Sequence, residues 1–162
     1  MACWRNIFGQ WHVEQEVSIN LIAVLDATNE PEPDAIVLKR SSADFPQDNP
    51  GPADILLVAE VSVTTRKYDL GTNAALYASA GIAEYWVLDL PESRVVVHRH
   101  PDCDRYSSIV AYVIDEPVSP LAAESASIQL RDLVNLPPRF SCVENRQKCY
   151  PNVHPIVYWE AV

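Results

Sequence analysis

The sequence predicts an α/β fold in which a central sheet is covered on both faces. Three observations support this prediction. Residues 54–62 form a strand that is apolar on both sides, which is typical of a strand buried between two layers. A helical pattern over residues 65–80 follows, and Gly81 provides its stop signal. Further strand patterns then cover residues 84–90, 94–100 and 106–114.

The composition is that of one globular domain. Its 162 residues suffice to bury a core, and 48% hydrophobic with 21% charged residues argue against disorder. The net charge of −10 argues against a sequence-independent DNA-binding protein with a broad basic face. It does not exclude an enzyme that meets phosphates through bound metal ions, because those ions supply positive charge locally.

The N-terminal sequence and the cysteines favour a cytoplasmic setting. Residues 1–10 lack the apolar core of a secretory signal, and no apolar run is long enough to cross a bilayer. We therefore expect a cytoplasmic protein with no membrane partner, whose four cysteines are free thiols. Cys142, Cys149 and His154 lie close together, but their spacing matches no standard zinc pattern.

The first part of the chain predicts short strands separated by loops. β-Branched residues over residues 12–25 favour one or two strands, whereas residues 1–12 show no clear periodicity. Pro33 cannot donate to a strand ladder, so the next strand should begin after it and cover residues 35–38. The Pro-rich segment 41–53 is expected to be a loop.

The central helix and the C-terminal part follow from turn and cap signals. Thr64 or Thr65 is expected to cap the helix at its start. After the last long strand we expect a short strand at residues 127–130 and a helical turn at residues 132–135. Residues 1–137 would then form a single domain, and residues 138–162 an irregular tail.

Two acidic residues are singled out by where the strands place them. Asp34 lies at the mouth of the short strand that follows Pro33. Glu60 lies near the end of the central strand, on the face expected for Leu56 and Val58. A carboxylate on a buried face is costly unless it is paired or bound to a metal. Asp34 and Glu60 together are therefore suited to hold a hard divalent cation.

Each of these acids also has a simpler interpretation. Asp34 could satisfy a turn after Pro33, and Glu60 could form an ion pair with Lys39 or Arg40. Asp69 is expected to be a first-turn acid stabilised by the helix dipole. The remaining candidates are expected to be core aromatic residues or solvent-facing histidines: Tyr77, Tyr85 and Trp86 in the first group, His98 and His100 in the second.

Five motifs stand in a specific order along the chain, although each of them alone is common. They are Glu30-Pro31-Glu32-Pro33-Asp34, Ala59-Glu60-Val61-Ser62, Asp69, Leu76-Tyr77-Ala78-Ser79-Ala80-Gly81-Ile82 and Glu84-Tyr85-Trp86-Val87-Leu88-Asp89. In this combination, over about residues 13–134, the chain resembles the Uma-type restriction endonuclease family of the PD-(D/E)XK nuclease superfamily. Residues 1–12 do not match the leading helices usual in that family.

The resemblance implies a restriction-endonuclease-like three-layer fold, with a central mixed sheet flanked by helices. It also implies hydrolysis of DNA phosphodiester bonds with Mg²⁺ or Mn²⁺. Asp34 and Glu60 would be the metal ligands, and the Val61 carbonyl would be a further oxygen ligand. In this family a lysine usually lies four residues after the helix aspartate, and here that position is Asn73. Asparagine donates a hydrogen bond but carries no charge.

Two functions remain open. One is an Mg²⁺-dependent endodeoxyribonuclease with DNA as its substrate, impaired because Asn73 replaces the expected lysine. The other is a catalytically inactive protein of the same fold that acts as an oligomerising or regulatory partner, for example as a homodimer. A third, weaker alternative is a hydrolase with Cys103 as nucleophile, for which no partner histidine is evident.

Overall fold

A six-stranded mixed sheet forms the centre of the protein. The computed structural model describes residues 2–9, 12–21, 31–44 and 49–134. The strands are β1 (Val13–Glu14), β2 (Ala35–Leu38), β3 (Ile55–Ser62), β4 (Glu84–Asp89), β5 (Arg94–Asp102) and β6 (Arg105–Val113). They lie in chain order across the sheet. β3 and β4 are parallel, and every other neighbouring pair is antiparallel.

One long helix connects the parallel pair and packs on one face of the sheet. This helix, α2, has three consecutive parts, Arg66–Tyr68, Asp69–Asn73 and Ala74–Ser79, of which the middle part is a π-helix. Two shorter helices are α1 (Ala2–Phe8) and α3 (Leu130–Leu133). Single 3₁₀ turns lie at Ser42–Asp44, Pro52–Asp54 and Leu121–Ala123.

Both faces of the sheet are buried, as the apolar pattern of the central strand predicts. On one face, Tyr77 and Ala78 of α2 pack with Val58, Tyr85 and Val87 of the sheet. The other face packs against α1 and α3 and includes Trp4, Leu57, Trp86, Leu88 and Leu130. The three-layer α/β fold expected from the sequence is therefore confirmed, because helices cover the mixed sheet on both sides.

The expectation that residues 1–12 lack a leading helix is wrong. Ala2–Phe8 is helical, and Trp4 is only 1% exposed. Its ring lies edge-on to that of Trp86, with the ring centroids 5.0 Å apart. The large apolar side chains at positions 4, 7 and 8 recur at helical spacing, so they lie on one face against the sheet.

The described part of the segment after α1 forms less strand than its β-branched residues predict. Over residues 12–21 only Val13–Glu14 pairs in the sheet, and residues 15–21 are irregular, while residues 22–25 of the expected strands lie outside the described residues. The Ile19 and Asn20 amides donate instead to the carbonyls of Pro31 and Pro50, at 2.9 and 3.0 Å. These loop carbonyls take the place of a neighbouring strand.

A β-bulge in β3 changes which side chains share a face. Val37 pairs with Leu57, whereas Leu38 pairs with Ile55, so Leu56 is the extra residue. Ile55 therefore packs with Val58 against α2, and Leu56 packs against the opposite cluster. The expected grouping of Leu56 with Val58 and Glu60 is wrong because a period-two pattern cannot show a bulge.

The C-terminal part of the described chain differs in detail from the expectation. Residues 127–130 supply only an isolated bridge, between Ile128 and Val118. The helical turn lies at Leu130–Leu133, two residues earlier than expected. The expected tail at 138–162 lies outside the described residues, as do Cys142, Cys149 and His154. No helix that the structure describes is long and apolar enough to span a membrane.

Two buried carboxylates tie the elements together. Glu84 is fully buried and binds Arg99 on β5, the Trp86 indole and the Leu121 amide. Asp89, also fully buried, accepts from Arg66 at 3.1 Å and from Arg94 at 2.9 Å. Because Arg66 begins α2 and Asp89 ends β4, this contact fixes where the helix starts above the sheet.

Arg99→Leu should lower the free energy of unfolding by about 3–5 kcal/mol, because Glu84 would remain buried without its cationic partner. Arg131→Leu, which removes an exposed ion pair with Asp115, is the control and should cost less than about 1 kcal/mol. Urea denaturation followed by tryptophan fluorescence measures both values. Equal losses in the two variants would contradict a structural role for the buried pair.

Candidate functional site

The register between β2 and β3 brings Asp34 and Glu60 together. Ala35 pairs with Ala59, so Asp34 lies opposite Glu60 just beyond the start of β2. The Val61 amide donates to Asp34 Oδ2 at 2.6 Å, and the Asp34 amide donates to Glu60 Oε2 at 3.3 Å. Two acids that are 26 residues apart in the chain thus lie together where the paired ends of β2 and β3 meet.

Helix α2 supplies the remaining contacts of Glu60. The Tyr77 hydroxyl donates to Glu60 Oε1 at 3.0 Å, and Asn73 Nδ2 donates to the same oxygen at 3.4 Å. The alternative ion pair of Glu60 with Lys39 or Arg40 is not formed. Lys39 donates to the Ala53 carbonyl and Arg40 to Asp54, both near the opposite end of β3.

Asp69 lies behind Asn73 and holds its amide. Asn73 Nδ2 donates to Asp69 Oδ1 at 3.2 Å, and the Thr65 hydroxyl donates to Asp69 Oδ2 at 2.5 Å. Asp69, expected from the sequence to be a first-turn acid of the helix, is 4% exposed and accepts hydrogen bonds from two side chains of the helix and its cap. Thr65 precedes the helix as expected, but its hydroxyl binds Asp69 rather than a backbone amide. The Asn73 amide therefore bridges two carboxylates.

Burial and mutual repulsion change the protonation of Glu60. Burial, followed by the negative charge of Asp34, raises the pKa of the Glu60 carboxyl from 4.5 to about 8. Burial also raises the pKa of the Tyr77 hydroxyl well above its ordinary value, so this group remains a proton donor. At neutral pH and without a cation, Glu60 retains its proton while it lies beside Asp34.

The site offers the oxygen ligands that a hard cation prefers. The amide and the carbonyl of one strand residue point to the same side, so the Val61 carbonyl faces the edge where its amide binds Asp34. In the described ranges no group of three or more His, Cys, Asp or Glu side chains could hold a metal. Two carboxylates, a carbonyl and water nevertheless suffice for Mg²⁺, so the donor set fits this ion.

The comparison with protein families decides the family of this chain. Residues 5–131 match Uma2, described as "Putative restriction endonuclease". The chain belongs to the Uma2 family. The matched range includes the whole acidic site of this Uma2 protein, from Asp34 to Tyr77, and confirms the resemblance inferred from the motifs.

A solved structure supports the fold of the Uma2 chain. It is described as a "putative nuclease belonging to DUF820 from Anabaena variabilis", with a TM-score of 0.54 and 14% sequence identity. The match covers 82% of this chain and 74% of the other. No curated protein matches the sequence.

The role of Tyr77 and the location of His98 differ from what the sequence predicts. Tyr77 contacts Glu60 as well as the core, and the successive four-residue steps from Asp69 to Asn73 to Tyr77 could have placed it on their helix face. His98 is 2% exposed rather than solvent-facing, because β5 is an interior strand and His98 packs between Tyr85 and Tyr106. Burial lowers the pKa of His98 and favours its neutral form. His100 is exposed as expected.

Glu60→Gln should stabilise this Uma2 protein increasingly as the pH rises from 4.5 to about 8. Over that range the unfolded chain has released the Glu60 proton while the folded chain still holds it, so folding of the wild type is progressively disfavoured. The difference should grow by up to about 1.4 kcal/mol per pH unit and level off above the folded pKa. Urea denaturation in metal-free buffer measures it.

In the same experiment, we expect an Asp34→Asn background to narrow the pH range over which Glu60→Gln becomes increasingly stabilising. Removing the neighbouring charge lowers the folded pKa of Glu60 towards its ordinary value. A Glu60→Gln stability difference that does not vary with pH would show that the folded site does not retain the proton.

Proposed function

We propose that this protein is a metal-dependent endodeoxyribonuclease whose activity is reduced by Asn73. The observation that supports this best is the convergence of Asp34 and Glu60 at one sheet edge, joined through the Asp34 and Val61 amides. The Uma2 family and the nuclease-like fold supply the reaction class. The site supplies the residues that would perform it.

Asp34, Glu60 and the Val61 carbonyl are the groups that would hold Mg²⁺ or Mn²⁺. A bound ion of this kind supplies an activated water and neutralises charge on the phosphate. The protein's part is to keep both carboxylates in place without a cation. The Val61 amide fixes Asp34, while Tyr77 and Asn73 fix Glu60.

Asn73 is the reason to expect weak activity. Its amide lies between Glu60 and Asp69, where the family usually has a lysine ammonium. An amide donates hydrogen bonds to both carboxylates but cannot offset negative charge in the transition state. Loss of one such transition-state contact costs on the order of 10²–10³ in rate in other enzymes.

The net charge of −10 does not conflict with DNA as the substrate. With this charge, a DNA phosphate would bind to the metal ion and to nearby hydrogen-bond donors rather than to a broad basic surface. We therefore expect weak, salt-sensitive association with DNA and a requirement for metal in each productive encounter.

The inactive alternative has an observation of its own in favour of it. Strand β6 is an edge of the sheet and exposes three large apolar side chains, Ile109 (60%), Val110 (45%) and Val113 (61%). Long apolar edge strands favour pairing with another chain. A non-catalytic protein with the nuclease fold and no cationic side chain at position 73 would bind its partner through β6 and would not act through the acidic site.

The wild-type protein should nick supercoiled plasmid slowly, and only with Mg²⁺ or Mn²⁺. Asn73→Lys should raise the nicking rate about 10²–10³-fold, because it places an ammonium between the Glu60 and Asp69 carboxylates. Gel densitometry of nicked against supercoiled DNA measures both rates.

Two control variants make this plasmid experiment specific. Thr72→Lys adds the same charge at the neighbouring exposed position and should leave the rate unchanged. Glu60→Gln should abolish nicking both alone and combined with Asn73→Lys. If neither the wild type nor Asn73→Lys nicks DNA with either metal, the nuclease proposal is wrong and the inactive alternative stands.

Mg²⁺ affinity should rise about tenfold per pH unit up to about pH 8 and then level off, because Glu60 must lose its proton to bind the ion. Isothermal titration calorimetry at several pH values, in buffers of different ionisation enthalpy, measures the affinity and the released proton. Affinity that is unchanged in Glu60→Gln would remove this residue from the site.

A further inference from the structure

The two oxygens of Glu60 have different surroundings. Oε1 accepts from the Tyr77 hydroxyl at 3.0 Å and from Asn73 at 3.4 Å. Oε2 lies on the side of Asp34, whose amide donates to it at 3.3 Å. Helix α2 therefore holds Oε1 with two side-chain donors, whereas Oε2 lies beside Asp34 and accepts only its backbone amide among the hydrogen bonds described.

Tyr77 has little freedom to leave this position. Its side chain is 0% exposed, and its ring centroid lies 4.9 Å from that of Tyr85. The Tyr85 hydroxyl in turn donates to the Asp69 carbonyl at 3.0 Å, which ties this aromatic pair to the π-helical part of α2. A donor packed in this way keeps its hold on Oε1 whatever lies on the opposite side of Glu60.

A carboxylate held at one oxygen binds a cation through the other oxygen. Mg²⁺ takes single oxygens in a tight octahedron, whereas Ca²⁺ takes more ligands and accepts both oxygens of one carboxylate. An O–H donor on Oε1 therefore disfavours the two-oxygen mode that Ca²⁺ can use, and it costs Mg²⁺ nothing.

We propose that Tyr77 is a positioning residue that limits Glu60 to one metal-binding oxygen and thereby makes the site prefer Mg²⁺ over Ca²⁺. This inference rests on the proposed metal site at Asp34 and Glu60. It assigns to the Tyr77 hydroxyl a role in metal selectivity beyond its place in the core.

Tyr77→Phe tests the proposal because it removes only the hydroxyl. We expect Mg²⁺ affinity to fall about tenfold, as for other groups that orient a metal ligand, whereas the loss for Ca²⁺ is offset because both oxygens of Glu60 become available to it. The quantity to compare is the ratio of the Mg²⁺ and Ca²⁺ dissociation constants from calorimetry. A change in the protonation of Glu60 or in overall stability shifts both constants alike and cancels in this ratio.

Tyr106→Phe is the matched control. Tyr106 is also a buried tyrosine on the α2 side of the sheet, but its hydroxyl donates to the Ile82 carbonyl at 2.9 Å and does not contact Glu60. Its removal should leave the Mg²⁺/Ca²⁺ ratio unchanged. Thermal melting of both variants establishes that they are folded under the conditions of the titration.

The outcomes separate this inference from the proposed function. If the wild type binds Mg²⁺ in a Glu60-dependent way but Tyr77→Phe and Tyr106→Phe give the same ratio, Tyr77 has no selectivity role and the metal site stands. If the wild type binds neither ion, both proposals fail.

A second measurement covers the case in which Tyr77→Phe does not fold. A crystal structure of the wild type grown with Mn²⁺ should show the Tyr77 hydroxyl on Oε1 and the ion on Oε2 alone. An ion bound by both oxygens of Glu60 would overturn the inference.

Discussion

The antiparallel register of β2 on β3 is the constraint on which the candidate site depends. It places Asp34 opposite Glu60, and the Val61 amide completes the connection by donating to Asp34 where the regular ladder has ended. A shift of one residue would turn Glu60 away from α2 and into the opposite core. The β-bulge at Leu56 lies near the start of β3, before Glu60. The orientation of Glu60 is therefore set by the strand pairs that follow the bulge, from Val37–Leu57 to Ala35–Ala59.

The second constraint is the placement of α2 over that register. Arg66 anchors the helix start to buried Asp89, and the π-helical part then carries Asp69 and Asn73 past the sheet edge. Short π-helical segments within α-helices are frequent at functional sites, because they redirect side chains without ending the helix. Here the segment lets Asn73 reach Glu60 while Tyr77 remains within the core.

Much of this arrangement could be predicted from sequence, and the rest depended on tertiary pairing. The long strands, the helix that ends before Gly81, and both acids follow from apolar periodicity and turn residues. The bulge at Leu56 and the burial of His98 depend on which strands become neighbours, which periodicity does not contain. The role of Tyr77 was hidden because an aromatic residue in an apolar helix face satisfies the core prediction equally well.

Several groups offset the negative charge of the acidic cluster formed by Asp34, Glu60 and Asp69. The negative charges of Asp34 and Asp69 both act on Glu60, and Asn73 brings no positive charge to offset them. Three kinds of group compensate: the proton retained on Glu60, the Val61 amide on Asp34, and the hydroxyls of Thr65 and Tyr77.

Of these groups, only the Glu60 proton can be replaced by another positive charge, because the amide and hydroxyl donors are part of the folded framework. A divalent cation that displaces the Glu60 proton would remove the repulsion from Asp34, which is itself part of the reason that the proton is held. A lysine at position 73 would act in the same direction from the opposite side of Glu60. In the proposed function a cation would take the place of this proton, while the Val61 amide and the Tyr77 and Asn73 side chains would keep both acids in place.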